Sequence, residues 1–180
     1  MKKIILLLIT PFLLLANDKN VGLEINPFRL VMQESDYNSF SGSLSIFLPS
    51  QNAELRFPLY WSKETYDNHT ETTTTLDAEY RYFINGSTLD GMFLGAVARV
   101  AKLDNQQDNK STTKFGAGVS LGYRYIPENS NWYWGMSISV IRYISGENHI
   151  FGGGGIDTTW IDNDTKGIID IDFFKVGYRF

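Results

Sequence analysis

Histidine, serine and carboxylate side chains are the groups of this sequence that could carry out acyl transfer. In that chemistry a histidine base activates a serine, and a carboxylate orients the imidazole ring. The chain has two histidines and no cysteine. His69 lies near Glu71 and His149 lies near Glu147, each within a predicted polar loop, and neither stands in a His-x-Ser sequence. We therefore predict two solvated loop histidines and no catalytic residues.

Two further motifs resemble ligand-binding loops only in part. The glycine run Gly152–Gly155 lacks the Lys-Ser/Thr pair that follows in a phosphate-binding loop. The segment Asp162–Gly167 begins like a calcium loop, but Lys166 stands where an oxygen ligand is needed and no glutamate closes the motif. We predict hydrophilic loop residues at both places, with no cofactor and no metal.

The N-terminal residues have the pattern of a secretory signal. Positively charged Met1–Lys3 precedes the apolar run Ile4–Leu15, and Ala16 is a suitable cleavage point. The run is shorter than the roughly 20 apolar residues of a membrane-spanning helix. The absence of cysteine excludes a lipidated N-terminus and a disulfide framework. We predict a signal peptide over residues 1–16 and one exported domain over 17–180, and the formal charge of −4 argues against nucleic-acid binding.

Eight segments alternate apolar and polar residues, each long enough for the ~9–11 residues of a tilted transmembrane strand. The predicted strands are 20–33, 38–48, 53–62, 72–85, 91–103, 113–126, 131–144 and 167–180. The predicted fold is all-β, an eight-stranded antiparallel up-and-down transmembrane β-barrel. The predicted lipid-facing residues are Val21, Leu23, Ile25, Phe40, Leu44, Ile46, Leu48, Ala53, Leu55, Phe57, Leu59, Trp61, Leu76, Ala78, Tyr80, Tyr82, Ile84, Met92, Leu94, Ala96, Ala98, Val100, Phe115, Ala117, Val119, Leu121, Tyr123, Tyr125, Trp132, Trp134, Met136, Ile138 and Val140.

Two of the predicted strands change the parity of their apolar residues. The first changes near Pro27, and the last changes between Phe173 and Phe174. A β-bulge adds one residue and turns the following side chains to the other face, so a bulge is the simplest prediction at each place. Without the second bulge Asp170 and Asp172 would face lipid, which is costly for ionised groups, so we predict either a bulge there or an end to the lipid belt short of Asp172.

The predicted connections alternate in length. Residues 49–52, 85–90 and 127–130 form short turns, whereas the connections after strands three, five and seven are longer and polar, the last one over 145–166. Residues 34–37 are a short exception. Short periplasmic turns and longer extracellular loops are typical of outer-membrane barrels, so both termini are predicted to be periplasmic.

Charged side chains alternate with the apolar ones and are predicted to face the lumen. An eight-stranded barrel has an interior that side chains fill, so we predict ion pairs, trapped waters and a plugged lumen. The predicted lumen charge network is Glu24, Glu54, Arg56, Asp77, Glu79, Arg81, Arg99, Lys114, Arg124 and Arg179. A narrow gated pore is the alternative, opened by rearranged pairs among Glu54, Glu79, Arg81 and Arg124.

The closing strand has outward residues that end on an aromatic: Phe174, Val176, Tyr178 and Phe180. The motif Tyr-Arg-aromatic recurs at positions 80–82, 123–125 and 178–180, which predicts an aromatic girdle at one interface. This chain resembles the transmembrane domain of OmpA and the small OmpX-like barrels. The resemblance implies a Gram-negative outer-membrane location, with the C-terminal strand as the assembly signal for insertion by the barrel assembly machinery. It also implies porin-like architecture and non-enzymatic roles in envelope integrity and surface interaction.

Two alternatives remain beside that reading. Some outer-membrane barrels of similar size modify lipid A, and a deacylase of that kind would be expected to have the His-x-Ser arrangement. A soluble lipocalin-like barrel or sandwich would show comparable tyrosine-rich strands.

The outer surface supplies two candidate contact sites. Lys63, Lys102 and Arg142 are predicted to form a cationic collar that binds lipopolysaccharide phosphates, with snorkelling rim charges as the alternative. Phe151 and Trp160, with Tyr66, are predicted loop aromatics that could anchor an extracellular partner of a monomeric barrel. The acidic residues predicted around them are Glu64, Asp67, Glu71, Asp104, Asp108, Glu147, Asp157, Asp162 and Asp164.

Overall fold

The computed structural model describes residues 20–31, 33–66, 69–84, 89–106, 110–145 and 167–180. These residues form a closed barrel of eight antiparallel strands, in which each strand pairs with its neighbours in sequence and β1 also pairs with β8. The up-and-down barrel predicted from alternation is confirmed. The strands are β1 Val21–Ile25, β2 Tyr37–Leu48, β3 Ala53–Tyr66, β4 His69–Phe83, β5 Gly91–Asn105, β6 Lys110–Tyr125, β7 Trp132–Ser145 and β8 Gly167–Arg179. In the described ranges no helix has the length and apolar character needed to cross a membrane.

The two faces of the barrel wall have opposite chemistry. Outward side chains are apolar or aromatic and are exposed or half-buried, whereas the inward ones include buried glutamate, aspartate, arginine and lysine. Val21 and Ala53 share the outward parity but are buried. Both are small side chains near one end of the barrel, where larger neighbours such as Ile46 and Tyr82 flank them in the adjacent strands.

The last strand contains the bulge that its sequence predicts. Gly135 of β7 pairs with Lys175, but Ser137 pairs with Asp172, so β8 has one extra residue between these pairs. Phe173 and Phe174 are consequently both exposed on the outer face, and Asp172 points inward. A second irregularity, which alternation does not predict, lies where β7 passes Phe115 and Gly116 of β6.

The first strand is shorter than predicted, and the bulge predicted near Pro27 is wrong. β1 ends at Ile25, and Pro27–Val31 forms a short α-helix, α1. Asn26 accepts a hydrogen bond on Oδ1 from the Phe28 backbone N–H at 3.1 Å, which caps the helix. Pro27 occupies the first helical position, where a missing N–H costs nothing. The parity change of the sequence therefore marks the start of a helix.

The two ends of the barrel differ less in connection length than the sequence predicts. The turn end carries the connections 49–52, 84–90 and 126–131, and the opposite end is called here the loop end. At the loop end only residues 67–68 separate β3 from β4, and 106–109 separate β5 from β6. The prediction of long loops after strands three and five is therefore wrong, because these strands continue through the polar segments 63–66 and 104–105 and their partners begin earlier than predicted, at residues 69 and 110. The structure places on strands five residues that were predicted in loops: Glu64, Tyr66, His69, Glu71 and Asp104.

Candidate functional site

The barrel interior is closed at the turn end by packed aromatic side chains. The buried cluster consists of Phe47, Phe83, Leu89, Phe93 and Tyr133, with the partly buried Ile126 against it. Phe47 and Tyr133 meet edge to face with ring centroids 6.1 Å apart, and Phe83 lies 5.4 Å from Phe93. This cluster, called here the aromatic plug, blocks the described lumen at its turn end.

Glycines give the aromatic plug its room. A Cβ atom added at Gly177 would overlap the Tyr133 ring, and one added at Gly22 would lie 2.8 Å from Phe47 Cε2. The distance from the added Cβ atom to the ring is in both cases shorter than van der Waals contact allows. Gly22 and Gly177 lie on strands that neighbour each other in the wall, so the missing side chains make space for the two rings.

Arginines lie directly above the aromatic plug. The Arg124 guanidinium carbon is 4.5 Å from the Tyr133 ring centroid and 5.0 Å from that of Phe83. Arg81 lies 4.2 Å from the Phe93 ring, and Arg179 lies 4.8 Å from that of Phe47. The ring faces supply part of the negative potential that a carboxylate would otherwise provide. This explains how the described interior holds more cationic than anionic groups.

Glu54 links this arginine layer to the wall. Its Oε2 accepts a hydrogen bond from Arg124 Nη2 at 2.6 Å and lies 3.8 Å from Arg81 Nη1. Arg81 in turn lies with its Nε 2.9 Å from Glu79 Oε1. The Glu54 carboxylate therefore lies between the guanidinium groups of Arg81 and Arg124, and the Arg81 guanidinium lies between two carboxylates.

Arg56 occupies the centre of the lumen. It forms ion pairs with Glu24 and with Glu79, the latter at 3.1 Å, and its Nε donates to Ser43 Oγ at 2.9 Å. Ser120 donates a hydrogen bond to Glu79. All five side chains are buried. Removal of one partner would leave an uncompensated charge, so these residues act as a unit.

Lys175 extends the network to the last strand. Its Nζ lies 2.6 Å from Asp172 Oδ2, donates to Ser137 Oγ at 2.8 Å, and is 4.0 Å from Glu24 Oε1. The bulge makes this arrangement possible because it turns Asp172 towards the lumen. Arg29 of α1 adds a second cation, 3.7 Å from Asp172 Oδ1.

A further ion-pair group lies nearer the loop end. Arg99 makes two hydrogen bonds of 2.8 Å to Asp77 and an ion pair with Asp170. Beyond it, the interior is packed with buried apolar residues: Val97, Ala101, Leu103, Ile141, Tyr143 and Ile168. The Lys114 ammonium lies 5.8 Å from the Tyr143 ring centroid. The described lumen is therefore filled by apolar groups on both sides of a charged middle.

Little space remains within the charged middle. A cavity of about 40 Å³ lies beside Arg56, Tyr60, Arg99 and Asp170, which is room for about three water molecules.

The structure places all ten residues of the predicted lumen network on the inner face. Nine are buried, and Arg179 is half-buried at the turn end. Sequence reasoning missed Lys175 and Arg29. The signal for Lys175 was present, since it lies between the outward residues Phe174 and Val176. Arg29 had no such signal because it belongs to α1.

The three cations of the predicted collar are exposed on the outer face. Lys63 and Lys102 flank β4, where they pair with Thr72 and Thr74. Lys102 already has a partner, because its Nζ lies 2.8 Å from Asp104 Oδ2. Arg142 lies two strands further round the barrel, opposite Ala117.

Most of the other residues named in the sequence analysis lie outside the described ranges. These are residues 1–19, Asp67, Asp108, Glu147, His149, Phe151, Gly152–Gly155, Asp157, Trp160 and Asp162–Lys166. His69 begins β4 opposite Tyr66. Within the described ranges no group of three or more His, Cys, Asp or Glu residues is placed to hold a metal ion.

The turn end carries a band of outward aromatics. Tyr125 and Trp134 have ring centroids 5.1 Å apart, and Trp132 and Tyr178 have centroids 4.9 Å apart. Phe180 lies 5.1 Å from Tyr178, and on the same strand Lys175 and Gly177 point inward. Outward aromatics and inward arginine thus alternate at positions 80–82, 123–125 and 178–180. No protein-family model, curated protein or solved structure matches the chain.

Proposed function

We propose that this protein is a monomeric, non-enzymatic integral protein of the Gram-negative outer membrane, with a structural and surface-interaction role. The observation that carries the proposal is the inverted distribution of side chains. A closed barrel exposes leucine, valine, phenylalanine, tryptophan and tyrosine on its outer face, and it buries three glutamates and four arginines inside. In water this arrangement would be unfavourable on both faces.

A bilayer makes the same arrangement favourable. Outward apolar side chains contact the hydrocarbon, the closed ladder leaves few unpaired backbone groups, and the aromatic band matches the girdles at a membrane interface. The lumen is then a packed filling, in which carboxylates and aromatic ring faces contact the cations and a few waters occupy the remaining space. The proposed role is to strengthen the envelope and to present the loop end to the outside, with both termini in the periplasm.

Single-channel recording of the refolded protein in planar bilayers tests the plugged lumen. We expect a folded barrel without openings, because the aromatic plug and the charged middle leave space only for a few waters. Reproducible small openings would contradict a purely structural barrel. Heat-modifiable gel mobility establishes that the recorded protein is folded.

A narrow gated pore is the second candidate, and one observation favours it. Glu54 and Glu79 each lie between two arginines, so ion pairs can exchange without leaving a charge unpaired. Openings that disappear when Glu54 and Arg124 are exchanged for each other would support this pore.

The collar of Lys63, Lys102 and Arg142 is the proposed contact with lipopolysaccharide phosphates. We expect the triple glutamine variant to co-purify with less lipopolysaccharide and to make cells more sensitive to detergent. The matched control exchanges lysine and arginine at the same positions, which keeps the charges. Unchanged co-purification in the glutamine variant would leave the collar as solvated rim charges.

An outer-loop contact is the other surface role, and lipid A modification is the remaining enzymatic alternative. Trp160→Ala is expected to reduce binding to cells or matrix if the loop anchors a partner. His69→Ala and His149→Ala are expected to leave the lipid A mass spectrum unchanged, whereas a shift by one acyl chain would establish an enzyme.

A further inference from the structure

The wall of the barrel is incomplete beside β1. The register of β1 ends where Ile25 pairs with Gly42 of β2 and with Val176 of β8. Further towards the loop end, Tyr37–Ser41 pairs only with β3, and Gly167–Lys175 pairs only with β7. An opening one strand wide therefore separates β2 from β8.

The helix α1 spans this opening. Open sheet edges are not tolerated in contact with hydrocarbon, so a membrane barrel needs a cover at this place. Phe28, Leu30 and Val31 are exposed on the outside of α1, and the Phe28 ring meets that of Phe174 at 5.8 Å. Arg29 points the other way, 4.3 Å from the Tyr60 ring. The helix thus repeats the outward-apolar, inward-charged pattern of the strands.

Side-chain contacts, in place of a strand ladder, hold α1 in the wall. Asn26 donates through its backbone N–H to Ser41 O at 3.1 Å and through Nδ2 to Asp172 Oδ1 at 3.0 Å. Ser39 Oγ donates to the Arg29 carbonyl at 3.3 Å. No residue of α1 is buried, and five residues are too few for a helix that is stable by itself. Displacement of α1 therefore breaks side-chain contacts, including those of Arg29 with Asp172 and Tyr60, but no strand ladder.

The cavity in the charged middle lies directly behind α1. Arg29 and Asp172 belong to its lining, so the helix forms part of its wall. The other charged lining residues are Arg56, Asp77, Glu79, Arg99, Asp170 and Lys175. Cations and anions are equal in number, which suits a head group without net charge.

We propose that α1 is a lateral lid, which moves out of the opening between β2 and β8 and admits a small uncharged amphipathic molecule from the bilayer to this cavity. The proposal rests on the membrane location proposed above. Both axial routes are blocked by packed side chains in the described lumen, and α1 is the part of the described wall that no strand ladder holds. The apolar part of the molecule would remain among Phe28, Leu30 and Phe174, and its polar end would meet the cavity.

Cysteine reporters on β2 test the lid, because the chain has no cysteine of its own. Ser41 and Ser45 both face the lumen, with exposed fractions of 9% and 0%. Ser41 accepts a backbone hydrogen bond beside α1, whereas Ser45 pairs with Gly22, where β1 completes the wall. Each single variant, Ser41→Cys or Ser45→Cys, is refolded into phosphatidylcholine vesicles and labelled with an uncharged alkyl maleimide or with a sulfonated, membrane-impermeant one.

The alkyl maleimide is expected to label Ser41→Cys about tenfold faster than Ser45→Cys, and the sulfonated reagent is expected to label both slowly. Adding Asn26→Ala, which removes both the hydrogen bond to Asp172 and the cap of α1, should speed labelling of Ser41→Cys by at least about tenfold, since a bond to a charged group is lost. Asn105→Ala is the matched control, because Asn105 donates to Glu71 Oε1 at 3.1 Å elsewhere in the wall.

Equal labelling of the two positions in vesicle-bound protein would overturn the lid and leave the membrane barrel standing. An acceleration by Asn26→Ala no larger than that by Asn105→Ala would overturn it as well. Protein that is folded but does not float with the vesicles would contradict the membrane location, and with it the lid.

Discussion

Replacing Lys175 by methionine removes one charge from the buried network and keeps almost the same volume. Lys175 has a side chain that is 4% exposed, and it contacts Asp172 at 2.6 Å, Ser137 at 2.8 Å and Glu24 at 4.0 Å. Breaking a buried pair by removing one partner costs about 3–5 kcal/mol. Asp172 retains Asn26 and Arg29 in this variant, so we expect a loss at the lower limit, about 3 kcal/mol in the free energy of unfolding.

Lys102→Met is the matched control for Lys175→Met. Its ammonium also lies 2.8 Å from a carboxylate, that of Asp104, but the side chain is 52% exposed on the outer face. An exposed pair of this kind contributes roughly 0–1 kcal/mol. The two substitutions therefore differ in burial and not in chemistry.

Urea titration of the refolded protein in detergent micelles measures both losses, with tryptophan fluorescence and far-ultraviolet circular dichroism as signals. Adding Asp172→Asn to Lys175→Met should recover part of the stability, because the carboxylate is no longer left with too few cations. Equal losses for Lys175→Met and Lys102→Met would refute the reasoning, since the interior would then behave like a solvated surface.

Two further changes test the packing of the wall. Gly177→Ala should lower the free energy of unfolding by about 1–3 kcal/mol because the new methyl group overlaps the Tyr133 ring. Gly167→Ala on the same strand is the control and should be nearly neutral, since the nearest atom to its new methyl group would be 3.4 Å away. Urea titration compares the two variants, and similar losses of stability would contradict the aromatic plug. Deleting Phe173 removes the extra residue of the bulge and keeps Asp172 on the inner face of a regular ladder, so we expect the variant to retain heat-modifiable folding in vesicles, and loss of folding would contradict the register of β8.

Alternation of apolar and polar residues is sufficient to predict most of the barrel. It places the eight strands, the outer face and the ten charged residues that the structure finds inside. It also predicts the bulge in β8, because without it Asp170 and Asp172 would lie on the outer face while Ile169, Ile171 and Phe173 would point into the lumen. The physical reason is that side chains alternate between the two faces of a strand. A register shifted by one residue would therefore exchange the apolar outer face with the charged inner face.

Alternation fails where the chain is polar on both faces or changes its period. The hairpins at the loop end extend beyond the predicted strands through residues 63–66, 69–71, 104–105 and 110–112, where no alternating apolar face signals a strand. The helix α1 was missed because Phe28 and Leu30 also alternate. Its signal was the pair Asn26-Pro27, a capping residue followed by proline at the first helical position.

The candidate site is predictable in composition but not in its connections. Sequence places Glu54, Glu79, Arg81 and Arg124 on one face, whereas only the register and the barrel stagger decide which of them touch. The stacking of Arg124 and Arg179 on the aromatic plug was not foreseen, since it depends on space left by Gly22 and Gly177.

Quenching of tryptophan by brominated lipid acyl chains tests most directly whether the apolar outer face meets a bilayer. Leu94 and Phe93 are adjacent on β5, with Leu94 53% exposed on the outer face and Phe93 1% exposed in the aromatic plug. In a background with the native tryptophans replaced by phenylalanine, Leu94→Trp and Phe93→Trp are refolded into vesicles and checked by heat-modifiable mobility. Our account predicts strong quenching of Leu94→Trp and little of Phe93→Trp, whereas equal quenching, or none at Leu94→Trp, would contradict it.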